Sequence, residues 1–342
     1  MLWIPVTLFA AFAQTFRFMV QKRLRIGTLS TGGATFARFL YSAPLISALA
    51  IGYSLVRGYS LPRVDWPFWA FAATGGLCQV SATMCVVALF QQRNFTVGIT
   101  FKKIEVLLAV GFGLLFLGEG VSMPALGAIS IGVLGVIVLS DTPQVAGSEG
   151  PRFFNKATAL GLSCGILFGA CAVFYRGATL HIWAEDVFAR ASVTLMAAIL
   201  MQLMGMALFL TWREPQQIKA VVQAWRVAVW VGLLSLFGSM AWFTAFALQN
   251  AAYVKALGQV EILASFAISV FVFGEKLRRS EALGILLLSA SVVLLILLLY
   301  SLQPEKQAFL ILVFEKWNGI WRANLGHSYQ FAQNHRGDKR QV

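Results

Sequence analysis

The sequence predicts an all-α polytopic membrane protein with ten transmembrane helices arranged as two inverted five-helix repeats. Three observations predict it. The 342 residues are 58% hydrophobic and only 12% charged, with mean hydropathy +0.75, whereas soluble domains carry about 25% charged residues. Apolar stretches long enough to cross about 30 Å of hydrocarbon recur at residues 2–21, 33–56, 67–91, 95–117, 122–140, 157–175, 187–211, 225–248, 251–273 and 280–301. Finally, NFTVGITFKKIEVLLAVGFGLLFLGE (Asn94 to Glu119) returns 156 residues later as NAAYVKALGQVEILASFAISVFVFGE (Asn250 to Glu275).

Taken in order, span 1 contains AFA at Ala11 to Ala13, which looks like a cleavage site for a leader peptide. No basic segment precedes it and the apolar run continues past it, so it reads as a retained helix. Span 2 opens with FAR ending at Arg38, and span 7 with FAR ending at Arg190, an offset of 152. An Arg so placed reads as an interface anchor. Spans 3 and 6 carry Cys78/Cys85 and Cys164/Cys171, each pair seven apart on one helical face and best read as small apolar packing. Spans 4 and 9 both begin at an Asn, carry a Glu 11 residues on (Glu105, Glu261) and end at a Glu 14 further (Glu119, Glu275). Glu119 and Glu275 stand just before spans 5 and 10, where an acid stabilises a helix N-terminus.

The first repeat covers residues 1–140, a Gly- and Pro-rich linker 141–156, the second repeat 157–301, and a basic tail 302–342. Within the tail, Ala308 to Phe314 is too short to span, and the aromatic and basic residues after it suggest an interfacial helix. Five spans per half is an odd number, so the second half enters from the opposite face and the repeat is inverted about an axis in the membrane plane. Loop charges agree: Lys22, Arg23 and Arg25 follow span 1, and Lys276, Arg278 and Arg279 follow span 9. By the positive-inside rule that set of loops faces the cytoplasm, with both termini outside; the basic tail argues for the reverse.

The net charge of +13 does not indicate nucleic-acid binding, because the bases are spread over short loops and the tail, as membrane orientation and anionic headgroups require. No cofactor is expected. None of His181, His327 and His335 lies within a span, and no phosphate-binding Gly loop precedes a Lys-Ser/Thr pair.

Glu105 lies about 16 Å into the membrane from Asn94, near the midplane, and Glu261 reaches a similar depth from the other face. A carboxylate there is costly enough to indicate a role. Either it responds to protons in a cavity, or a neighbouring base neutralises it permanently. Lys102 stands one turn before Glu105 and makes a local pair easy. Beside Glu261 the sequence offers only Gln259 and, on another face, Lys255. Lys255 is near enough to the span end to snorkel to an interface. Of Lys102 and Lys103, at most one can pair with Glu105; the other needs a distant carboxylate or an anionic group on a ligand. Phe9, Phe12, Phe16, Trp242, Phe243 and Phe246 crowd spans 1 and 8, facing lipid or lining a site.

QVEILASFAISVFVFGEKLRRSEALGILLLSASVVLLI, with Gly-Glu ending span 4 as well as span 9, resembles the drug/metabolite transporter superfamily, in its ten-helix branch of two EamA-type repeats. The resemblance covers about residues 1–300. It implies a central cavity formed by spans 1–4 and 6–9, with spans 5 and 10 peripheral and both termini cytoplasmic. One departure is that a Pro common after the acid of spans 4 and 9 is Val106 and Ile262 here.

The resulting expectation is a secondary transporter of a bacterial inner membrane, not an enzyme. It exports a small organic metabolite such as an amino acid by alternating access with proton exchange. Glu105 and Glu261 are the binding or coupling acids, and Lys102, Lys103, Lys255 and Gln259 their neighbours. The partners are a small-molecule substrate and the bilayer, and the state is monomer or homodimer. A membrane-embedded lipid-processing enzyme or a non-transporting membrane partner are the alternatives.

Overall fold

Inside hydrocarbon every backbone N–H and C=O needs a partner from the chain itself, and a helix supplies them all within one segment. The computed structural model describes residues 1–26, 29–58, 61–89, 102–139, 156–263 and 279–301. Its helices are α1 (Trp3–Ile26), α2 (Thr31–Val56), α3 (Trp66–Leu89), α4 (Glu105–Phe112, continued by a π-helical turn at Gly113–Leu117), α5 (Met123–Leu139), α6 (Lys156–Leu180), α7 (Val187–Arg213), α8 (Gln216–Gln223), α9 (Trp225–Leu248), α10 (Ala251–Gly258) and α11 (Arg279–Ser301). Asn94, Glu275, nearly all of the linker and the tail lie outside the described residues, as do the side chains of Lys22, Arg23 and Arg25.

Among the described residues, six helices are long and apolar enough to cross a membrane, at 31–56, 66–89, 159–180, 187–213, 225–248 and 282–299. The protein is therefore an all-α, multi-pass membrane protein. Leu77, Leu115, Leu208 and Leu286 are all exposed, which suits a surface solvated by lipid tails. Trp66 and Trp183 at one end of the bundle, and Trp212 and Trp225 at the other, are also exposed, where indoles favour the headgroup level. Hydroxyls within the helices return to their own backbone: Thr7 Oγ1 donates to Trp3 O at 2.7 Å, Ser42 Oγ to Arg38 O at 2.7 Å and Thr194 Oγ1 to Arg190 O at 2.7 Å, which lets a polar side chain sit in an apolar helix.

Two compact units divide the chain, Met1–Val293 and Leu294–Val342; the described part of the second is the helical stretch 294–301. In the first unit α1 packs along α9, α3 along α6, and α2 against both α7 and α9, while α4 meets α6 and α10. Small residues allow the close approaches that hold helices together in lipid. A Cβ on Gly169 of α6 would fall 2.9 Å from Glu105 O, so α6 presses backbone to backbone on the start of α4.

The two ends of the bundle are tied differently. At the end carrying residue 3, strands β1 (Arg63–Val64) and β2 (Ile182–Trp183) pair antiparallel. There Asp65 accepts from Phe68 N–H at 3.3 Å and from His181 Nδ1–H at 2.9 Å. The His181 hydrogen bond holds the Asp65 carboxyl below the usual aspartate value. At the opposite end Ser30 caps α2, accepting from Gly33 N–H at 3.0 Å. Ser30 also donates through its hydroxyl to Glu214 and through its backbone N–H to Gln217 Oε1 at 2.8 Å.

Candidate functional site

Spans 4 and 9 are both interrupted beside their acid. Lys102 is helical, residues 103–104 form a turn, and α4 starts at Glu105; α10 stops at Gly258, turns at Gln259, and helix resumes over 260–263. Lys103 and Gln259 are equivalent positions of the repeat. The breaks occur without a Pro, Val106 and Ile262 following the two acids.

The breaks bring three buried lysines and two carboxylates together. Glu105 Oε2 accepts from Lys255 Nζ at 3.4 Å, and Lys102 Nζ lies 4.0 Å from its Oε1. Glu261 Oε1 accepts from Lys103 Nζ at 2.9 Å and its Oε2 from Gln14 Nε2 at 3.1 Å. The local pair expected for Lys102 is thus the longest contact, and the short ones join the first half of the chain to the second. Lys255 does not snorkel: it is buried, with its ammonium 5.4 Å from the Phe168 ring centre and 5.2 Å from that of Trp242. Lys102 approaches Phe168 at 5.2 Å. Phe168 therefore serves two ammonium groups, a cation–π arrangement that gains strength where water is excluded.

Arg38 is no interface anchor. It is buried, donating to Thr83 Oγ1 at 3.3 Å and to Ser239 Oγ at 3.1 Å. Its repeat mate Arg190 opens α7 and is half-buried, with Nε lacking a partner. Glu119 does not act mainly on the next helix. Arg176 near the end of α6 donates to its Oε1 from Nη2 at 2.8 Å and from Nε at 3.0 Å. Arg176 Nη1 also donates to Phe246 O at 2.8 Å, the carbonyl end of α9.

Arg17, Arg38, Gln79, Tyr175, Trp242 and Lys255 are among the residues that line a cavity of about 30 Å³, room for a water molecule. Tyr175 OH donates to Gln79 Oε1 at 3.0 Å, and Gln202 Nε2 donates to the same oxygen at 2.8 Å. Gln202 also borders a second, apolar cleft of about 480 Å³ between α3 and α7. Of the aromatic residues singled out from the sequence, Phe9, Phe12 and Phe16 are exposed, whereas Trp242, Phe243 and Phe246 are buried on the cavity wall. Among the described residues no cluster of His, Cys, Asp and Glu could hold a metal ion.

Sequence reasoning passed over Gln14 and Arg17. The signal was present: Gln14, Arg17 and Gln21 recur at spacings of three and four in an otherwise apolar stretch, which places them on one helical face. Arg17 Nη1 does donate to Gln21 Oε1, at 3.1 Å.

No family model matches the chain, and no curated protein matches it. A solved structure described only as "Crystal structure of protein" is similar in fold, with a TM-score of 0.62 over 86% of this chain and 97% of that one, at 16% sequence identity. At that identity the likeness is one of fold alone.

Proposed function

We propose that the protein is a secondary active transporter that carries a small organic metabolite across a bacterial inner membrane by alternating access. In this reading it has ten spans in two inverted repeats and belongs to the EamA-like branch of the drug/metabolite transporter superfamily. The packing scheme supports two related halves. Exchanging the halves turns the packing of span 1 on span 8 (α1 on α9) into that of span 6 on span 3 (α6 on α3), and both are present. Span 2 on span 7 maps onto itself, and span 4 on span 6 maps onto span 9 on span 1, which also meet. Two half-chains that repeat their contacts in this way can rock about a shared site.

The observation that carries the proposal is the pair of cross-half ion pairs at the helix breaks. Lys255 of the second half holds Glu105 of the first, and Lys103 of the first holds Glu261 of the second. Ion pairs buried at midmembrane are expensive to keep and mark moving or binding elements. Glu261 is not the unpaired acid that its sequence neighbours suggest. Its role is a lock between halves, and protonation on the route to the other conformation releases Lys103. Glu261→Gln, reconstituted into liposomes with an imposed pH gradient, is expected to lose transport or its pH dependence while inserting normally. Unchanged, pH-sensitive transport by that variant would sink the coupling role.

A further inference from the structure

Arg17, Arg38 and Lys255 place three cationic side chains on the wall of one cavity, and no carboxylate among the described residues shares that wall. Both guanidinium side chains are deeply buried, at 3% and 4% exposure. Their hydrogen bonds go to neutral oxygens, of Gln21 for Arg17 and of Thr83 and Ser239 for Arg38. The two acids nearby are already engaged, Glu105 by Lys102 and Lys255 and Glu261 by Lys103 and Gln14. Among the described residues, counting Arg17, Arg38, Lys102, Lys103 and Lys255 against Glu105 and Glu261 leaves three positive charges in surplus. Such a surplus within a membrane protein is costly unless an anion completes it.

A second observation points the same way. Trp242 is 91% buried on this wall, and its indole N–H has no partner among the described residues. That group can only donate. The wall therefore offers guanidinium, ammonium and N–H donors, and beside them the apolar faces of Phe243 and Phe246, the latter ring 5.8 Å from that of Trp242. Among the described residues a zwitterion would find partners for its carboxylate and no free negative charge for its ammonium.

We propose that this cavity binds small organic dianions, carrying two carboxylates or a phosphate monoester on a compact carbon body. That such a dianion is the transported cargo rests on the proposed function; the chemistry of the site does not. At about 30 Å³ the cavity admits water only, so the anion enters when the helices part.

The test is equilibrium binding of succinate, phthalate and phenyl phosphate to the purified full-length protein, with benzoate, phenylalanine and tetramethylammonium as comparators. Dianions are expected to bind at least roughly tenfold more tightly than the comparators, with loss of roughly tenfold or more in Arg38→Gln. Trp242→Phe keeps the ring and is expected to weaken binding roughly three- to tenfold. It serves as the readout if Arg38→Gln fails to fold. Preference for phenylalanine or the quaternary amine overturns the proposal, as does dianion affinity unmoved in a folded variant. Uptake into liposomes separates the two claims. Dianion binding without uptake upholds the site and refutes the cargo role, while phenylalanine uptake without dianion binding refutes the site and leaves the transporter.

Discussion

Substituting Lys103→Met, Glu261→Gln and both together isolates the buried ion pair that joins the halves. Lys103 Nζ lies 2.9 Å from Glu261 Oε1, with the side chains 5% and 16% exposed. At that distance and an effective dielectric of about 20 the attraction is about 6 kcal/mol, set against a desolvation cost of several kcal/mol for each ion. The pair as a whole is therefore close to balanced, and the large effect comes from orphaning one member. Glu261→Gln leaves an ammonium inside a cluster that already holds surplus positive charge, and is expected to cost about 3–5 kcal/mol. Lys103→Met leaves Glu261 with the Gln14 amide at 3.1 Å and reduces the surplus by one charge, so its cost is expected to be smaller, about 3 kcal/mol or less. The double variant removes both ions and should lose about 2–3 kcal/mol less than the two single losses added. Reversible unfolding by detergent titration in mixed micelles measures all four proteins on one scale. Additivity within about 0.5 kcal/mol would refute the reasoning.

Three further predictions rest on separate features. A Cβ on Gly258 would fall 2.5 Å from the far edge of the Trp242 ring, so Gly258→Ala is expected to cost about 1–3 kcal/mol by overpacking and to shift any ligand affinity that depends on that indole. Arg176→Gln should destabilise more than Glu119→Gln, by about 1–3 kcal/mol, because Arg176 also serves the Phe246 and Ala247 carbonyls; the same unfolding assay ranks them. The Asp65 carboxyl has its folded value lowered by His181. Its contribution is present above the ordinary aspartate value and lost as pH falls through the lowered one. Infrared difference spectra should show a carboxyl signal titrating below the usual range that is absent in Asp65→Asn and shifted upward in His181→Phe.

The helices were legible because membrane-length apolar runs have few other ways to fold. Residues 225–248 match Trp225–Leu248, and 33–56 and 67–91 lie within two residues of α2 and α3. The misses fall where charge is neutralised from afar. Span 6 ends at 175 on hydropathy, whereas α6 continues to Leu180 because Glu119 and two carbonyls of α9 receive Arg176. The short helix α8, with Val221 buried and Gln216, Lys219 and Gln223 exposed, sits in a connection that hydropathy passes over. Strands β1 and β2, of two residues each, are too brief to leave a pattern.

By itself the sequence determined the medium and the helical class, both set by local composition and spacing. It also identified Glu105, Glu261 and the three lysines as out of place in hydrocarbon, since the cost of a buried charge is a property of the residue and its depth. Only the tertiary structure decided which charge meets which. Lys103 is 158 residues from Glu261, and Lys255 is 150 from Glu105, while the tempting neighbour Lys102 is left at 4.0 Å. Sequence spacing can rank partners along one helix, where three or four residues make a neighbour. It carries no information about partners on a helix that packs alongside. For the same reason Arg38, read as an anchor, could be recognised as a cavity wall only once Thr83 and Ser239 were seen beside it.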